Sequence, residues 1–124
     1  MVTLTAADFE QGWLSGARGT SYEDMKAAAN NYVRVKNPIP VYGKPLLIRA
    51  FVPGFVIAVL AFDVDMKFIS VNSLVSGEGK TSTQTVNGAA YYALMVRKDP
   101  SAAITPTDAT AAQIGVAVTQ AGTN

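Results

Sequence analysis

LLIRAFVPGFVIAVLAFDVDMKFISVN, residues 46–72, is the most apolar and most β-branched stretch of the chain, and its reading decides the fold. Its centre, FVIAVLAF at residues 55–62, is an almost unbroken apolar run. Eight residues of this kind suit a strand buried on both faces. From Phe62 the pattern changes. Phe62, Val64, Met66 and Phe68 alternate with Asp63, Asp65 and Lys67, which is the period of a strand with one wet face. After Phe68 the phase slips by one, because Ile69 and Val71 are the next apolar residues. A slip of that size predicts a β-bulge or a strand crossing between two sheets. Pro53-Gly54 is turn chemistry and separates residues 45–52 from residues 55–62 as a hairpin or a corner. Residues 46–62 include Arg49, Pro53 and Gly54, whereas a membrane-spanning helix needs about 20 apolar residues without charge near its centre. The stretch therefore predicts a buried β core and no membrane segment.

The chain has 124 residues, enough for one domain with a real core. Only 15% of residues are charged and 49% are apolar. A free-standing soluble surface usually carries more charge, so this balance predicts surface covered by neighbouring subunits, with a compact uncharged β domain as the alternative. There is no cysteine, which excludes disulfides and thiolate metal sites. There is no histidine, which removes the commonest general base and the commonest metal ligand. No Ser–His–Asp or Cys–His set can form, and no enzymatic activity is expected. Net charge is +1 with Lys and Arg dispersed, so the basic footprint of a nucleic-acid binder is missing. MVTLTAADFEQ at the start is acidic and lacks a basic start followed by an apolar core, so no signal peptide is expected.

The flanks divide the chain into a helical N-terminal segment (1–31), a β core (32–97) and a C-terminal arm (98–124). Thr5 and Asp8 have the spacing of a capping box, and Phe9 and Trp13 at i and i+4 predict a short helix burying both, weakened by Gly12 and ended by Gly16 and Gly19. Residues 16–20 read as a flexible connector, with a phosphate-contacting nest as the alternative. Ser21 and Asp24 start a second helix with Tyr22, Met25 and Ala29 as its core stripe, and Asn30-Asn31 as its stop. Pro38 and Pro40 hold Asn37 and Ile39 extended, so NPIPVYGKP is an ordinary β connection or an arm along a neighbour. Asn87-Gly88 is the strongest hairpin signal, joining a strand around residues 81–86 to one around 91–96 in a type I′ turn. Thr105-Pro106-Thr107-Asp108 starts a last helix of one or two turns that ends by Gly115, before a short strand with Val116 and Val118. The tail 119–124 has little with which to anchor itself and would be held by another subunit. Together these elements predict a mainly β fold, a sandwich or jelly-roll-like barrel with short N-terminal helices and a short helix near the C-terminus.

One segment looks like a chemical motif. FISVNSLVSGEGKTST, residues 68–83, resembles the strand and loop of P-loop nucleotide-binding proteins, closest to the deviant Walker A loops of bacterial tyrosine kinases and ParA-type ATPases. The resemblance implies Lys80 on the phosphates and Thr81 on Mg²⁺, with Gly77–Thr81 as the binding loop. The chain departs from that pattern. Leu74 stands where the common motif has Gly, Asn87-Gly88 interrupts the helix that must follow, and no later strand ends in a Walker B Asp. A Gly-rich connection between two strands is the competing reading. Asp63 and Asp65, two apart on one strand face, are solvated residues or a weak cation site. Trp13, Tyr91 and Tyr92 are core residues or stacking platforms of a small-ligand or carbohydrate-binding module. No catalytic, cofactor-binding or metal residue is assigned, and no cofactor.

In size, composition and extended arms the chain resembles the capsid decoration or cement proteins of tailed bacteriophages. That resemblance implies a structural virion protein, assembled in the host cytoplasm, that binds itself as a homo-oligomer and a major capsid or other shell protein. It carries over no individual residues. In this picture the N-terminal segment or the chain after Thr105 crosses onto a neighbour, and removing everything after Ala112 weakens assembly more than the core.

Overall fold

The computed structural model describes residues 1–119. In chain order the elements are β1 (Val2–Thr3), a 3-10 turn (Ala6–Asp8), β2 (Phe9–Gln11), β3 (Trp13–Leu14), α1 (Tyr22–Met25), β4 (Lys26–Ala27), β5 (Val33–Val35), β6 (Ile39–Pro40), β7 (Leu46–Ala50), β8 (Phe55–Phe62), β9 (Phe68–Val75), β10 (Thr81–Gln84), β11 (Tyr91–Lys98), α2 (Pro106–Ala109), a second 3-10 turn (Thr110–Ala112) and β12 (Ile114–Val118). One sheet has the order β1-β12-β7-β10. The other has the order β2-β5-β11-β8-β9, with β6 also on β11. All the pairings are antiparallel. The fold is mainly β and sandwich-like, with two main sheets rather than a closed barrel and a separate two-stranded ribbon of β3 and β4. No helix among the described residues is long and apolar enough to cross a membrane.

β8 is the expected doubly buried strand, with the expected bounds. On one face, Ile57 and Val59 lie beside Val96 and Leu94 of β11 and share the core with Leu46, Ile48 and Ala50 of β7 and Ile114 and Val116 of β12. On the other, Leu60 and Phe62 are also buried, beneath the N-terminal segment. The Tyr22 ring meets Phe62 edge to face at 5.4 Å, and the Leu14 amide donates to the Met95 sulfur at 3.5 Å. Pro53-Gly54, with Gly54 at φ 106, is the corner by which the chain leaves β7 in one sheet and enters β8 in the other.

The N-terminal residues 1–31 are less helical than their pattern predicts. The Thr5 amide donates to the Asp8 carboxylate at 2.7 Å, so the capping signal is used, but it closes only one 3-10 turn. Phe9 then enters β2 and pairs with Val35, while Gly12 at φ 127 breaks the chain before Trp13, so the two aromatic residues sit on different strands. Gly12 is required here, because any Cβ would collide with the Arg34 guanidinium. α1 is one turn, started by the Ser21 hydroxyl accepting from the Asp24 amide. It buries Tyr22 and Met25 as expected, but stops before Ala29, because Lys26 and Ala27 pair with β3.

Two further expectations change, and the bulge between them holds. Residues 62–68 are not one alternating strand. Oδ1 of Asp63 accepts from the amides of Asp65 (2.9 Å) and Lys67 (3.0 Å), and this side-chain turn, with Met66 at φ 61, reverses the chain between β8 and β9. The phase slip is a real bulge: Ala61 pairs with Ser70 and Phe62 with Phe68, leaving Ile69 as the extra residue. Asn87-Gly88 is a tight turn, but not a hairpin. The Ala89 amide donates to the Val86 carbonyl, Gly88 alone has positive φ (83), and β10 pairs with β7 while β11 pairs with β8. The type I′ geometry is therefore replaced by a type II arrangement that carries the chain between sheets.

Among the described residues, those from 98 to 119 fold back onto the domain. Thr105 caps α2 through a reciprocal pair, its amide donating to the Asp108 carboxylate and its hydroxyl accepting from the Asp108 amide, and Gln113 at φ 53 ends the following turn. β12 then lies between β1 and β7, with Ile114 and Val116 buried. Cutting after Ala112 would remove an interior strand, so the core is no longer expected to survive that deletion. The proline-stiffened segment likewise follows its own chain: β6 pairs with β11, and the Val41 and Gly43 amides donate to the Ala90 and Ala89 carbonyls. The expected hold of the tail past Thr119 falls outside the described residues.

Replacing Gly88 by Val should destabilise the fold by roughly 1 kcal/mol or more, read as a lower urea midpoint, since a β-branched residue resists positive φ. A second expectation concerns Tyr22. Burial foremost, and then the nearby Glu10 carboxylate, push its phenol from 10.0 up to about 12. The unfolded chain releases that proton first, so this contribution is intact below pH 10 and is lost as pH rises from 10 toward 12. Between pH 9 and 11.5, urea denaturation should show the wild type losing roughly 2 kcal/mol more than Tyr22→Phe.

Candidate functional site

The Gly-rich loop joins β9 in one sheet to β10 in the other. Three of its amides are already used: Ser76 donates to the Phe55 carbonyl (3.0 Å), Gly77 to Ala50 (2.8 Å) and Lys80 to Gly77 (3.1 Å). The Ser76 hydroxyl is buried and accepts from the Phe55 amide at 3.0 Å. Gly79 supplies the turn at φ 72, and Thr81 opens a strand paired to Arg49 instead of a helix. A phosphate cradle needs free converging amides and a following helix. Here three of those amides are spent on backbone carbonyls, a strand follows instead of a helix, and Lys80 is an exposed residue on a tight turn. The 16–20 loop is similarly committed, since the Gly19 amide donates to the Phe68 carbonyl and the Thr20 amide to Ala17.

Asp63 and Asp65 lie in the β8–β9 turn, where one carboxylate oxygen of Asp63 is occupied by backbone amides. Among the described residues no three Asp, Glu, His or Cys side chains gather as a metal group. Tyr92 is buried and its hydroxyl accepts from the Val86 amide at 2.9 Å, so it is a core residue. Tyr91 shares a 2.8 Å hydroxyl–hydroxyl bond with exposed Tyr42; that bond, foremost, and partial desolvation raise the Tyr91 phenol above its usual value. Trp13 stacks on Tyr32 at 5.7 Å beside Ala28, Ala29, Asn30 and Asn31 around an open cleft of about 370 Å³.

The composition gave no hint of a part-buried charge clamp. Arg34 is mostly enclosed; its Nε donates to Glu10 at 2.8 Å and one terminal nitrogen to the carbonyls of Trp13 (3.0 Å) and Ala27 (3.1 Å). It pins the β3–β4 ribbon onto the sheet. A second cleft, of about 500 Å³, lies on the outer face of the other sheet between Met1, Arg49, Phe51 and Gly115. Arg49 there sits over the Phe51 ring at 5.3 Å and against the Met1 sulfur.

The most distinctive surface is the free edge of β9. The Ser76–Phe55 bond sets the phase: Ser70, Asn72 and Leu74 exchange bonds with β8, so the amides and carbonyls of Val71, Ser73 and Val75 point away from it. Before the bulge the edge is covered from within, because the Tyr22 amide donates to Met66, and Phe68 exchanges bonds with Gly19 and Thr20. After the bulge, no group among the described residues pairs with Val71, Ser73 or Val75. Proteins usually guard such an edge with charge, proline or a bulge. FISVNSLV contains neither charge nor proline, and Val71 and Val75 are 49% and 56% exposed. The missing charge was visible in the sequence; that this strand is an edge was not.

Lys80→Ala should leave thermal stability nearly unchanged. Calorimetry with a Mg²⁺-nucleotide should show no binding to either form, and tight binding abolished by the substitution would overturn the β-connection reading. No protein-family model, curated protein or solved structure matches the chain.

Proposed function

We propose that this chain is a structural assembly component that acts through protein–protein contacts, in the manner of proteins that decorate or cement a viral capsid. The observation carrying this reading is the uncharged, unpaired edge of β9 with its exposed valines. An edge of that kind is a template for another strand, and leaving it open is costly unless something covers it. The low overall charge supports the same reading, since interface cores are depleted in charge. On this proposal the partners are further copies of the chain and a major capsid or other shell protein, and the location is the virion. Nucleic acid is not among the partners. The chain does no catalysis.

A small-ligand or carbohydrate-binding function is the second reading, and the Trp13–Tyr32 cleft is what favours it. Sedimentation at micromolar concentration separates the two. The assembly reading expects a symmetric oligomer, while a sharp monomer near 13.0 kDa overturns it. Trp13 is the single tryptophan, so its fluorescence reports on the cleft directly, and no change is expected on adding sugars.

A further inference from the structure

We infer that the partner of the β9 edge is a second copy of the same edge, paired antiparallel about a two-fold axis through Ser73. The inference rests on the assembly reading and specifies its contact. The edge is self-complementary because it presents alternating donors and acceptors at Val71, Ser73 and Val75. Its length selects the register. Gly19 and Thr20 occupy the edge at Phe68, and the chain turns inward at buried Ser76 and Gly77. Only a centre at Ser73 uses every free position: Val71 faces Val75 of the second copy, Ser73 faces Ser73, and Val75 faces Val71. A centre at residue 72 or 74 leaves one of the three unpaired.

Side chains and charge point to the same arrangement. Val71, Ser73 and Val75 lie opposite Leu60, Ala58 and Val56, so all project from the outer face of the sheet. The pairing therefore brings the exposed valines of both copies together in two cross-strand pairs, beside half-buried Val56 and Ala58. Exposed Lys67 precedes the strand and exposed Glu78 follows it. An antiparallel pair sets Lys67 of one copy at the end where Glu78 of the other lies, whereas a parallel pair would set like charges together. The contact is isologous and closes on itself.

The test uses the absence of native cysteine. In the proposed pair the Cα atoms of the two Ser73 residues are about 5.5 Å apart, within the range of about 4.4–6.8 Å that a disulfide spans. Ser73→Cys should cross-link to a dimer under mild oxidation at least tenfold faster than Val64→Cys, which sits on the more exposed β8–β9 turn. Ser73→Pro removes an outward amide and no β8 bond, and should shift the sedimenting species to monomer. Val71→Lys, which keeps every backbone group, should do the same, and circular dichroism checks that each variant is folded. If the wild type is an oligomer, but Ser73→Cys cross-links no faster than Val64→Cys and Val71→Lys leaves its mass unchanged, the β9 pairing is wrong and the assembly reading stands. A wild type that stays monomeric through the micromolar range overturns both.

Discussion

The burial of β8 on both faces is the constraint from which the rest of the architecture follows. A strand with Ile57 and Val59 on one side and Leu60 and Phe62 on the other needs two covers. The sheet containing β7 and β12 supplies one, and the N-terminal ribbon with α1 supplies the other. This explains why so short a helix is retained at all. One turn of α1 places Tyr22 against Phe62 and Met25 in the core, and its Ser21 cap is enough to start it. It also explains the part-buried ion pair of Arg34 and Glu10. The second cover is a thin ribbon, and the Arg34–Glu10 clamp ties it down through three acceptors. An arginine this enclosed is tolerable only when its donors are met in this way.

What could be read from the chain and what could not divides along physical lines. Residues 55–62 were legible because continuous hydrophobicity over eight positions has few other solutions. The bulge at Ile69 was legible because a period of two cannot absorb a slip silently. The turn at Asn87-Gly88 was legible as a turn, since glycine supplies positive φ, but its partners were not. Turn propensity is local, whereas the choice between β7 and β8 as neighbour is made by packing across the whole domain. The same limit applies to Asp63. Alternation of Asp63, Asp65 and Lys67 with apolar residues has the period of a strand, yet a short carboxylate competing for two backbone amides wins locally.

The surface shows the corresponding division. The absence of charge through FISVNSLV was present in the sequence, but its meaning depended on β9 being at the rim, which only topology decides. The Gly-rich segment shows the converse. Its residues match a phosphate loop in type, while the backbone bonds at Ser76, Gly77 and Lys80 leave it a corner between sheets. Residue identity sets what a loop could bind; the partners of its amides set whether anything is left to bind with.

The position of β12 bears on how the chain acquires its structure. Val2 pairs with Val116 and Leu46 with Val118, so the first strand and the centre of the four-stranded sheet both wait for β12. Pairings this far apart in sequence are slow, because the loop entropy is lost before the contacts form. On the ribosome the larger sheet has all its strands once β11 has emerged, while β7 keeps an unpaired side until β12 follows. The domain is therefore half-built until β12 has emerged, and its nascent form presents an open apolar strand that the folded protein conceals.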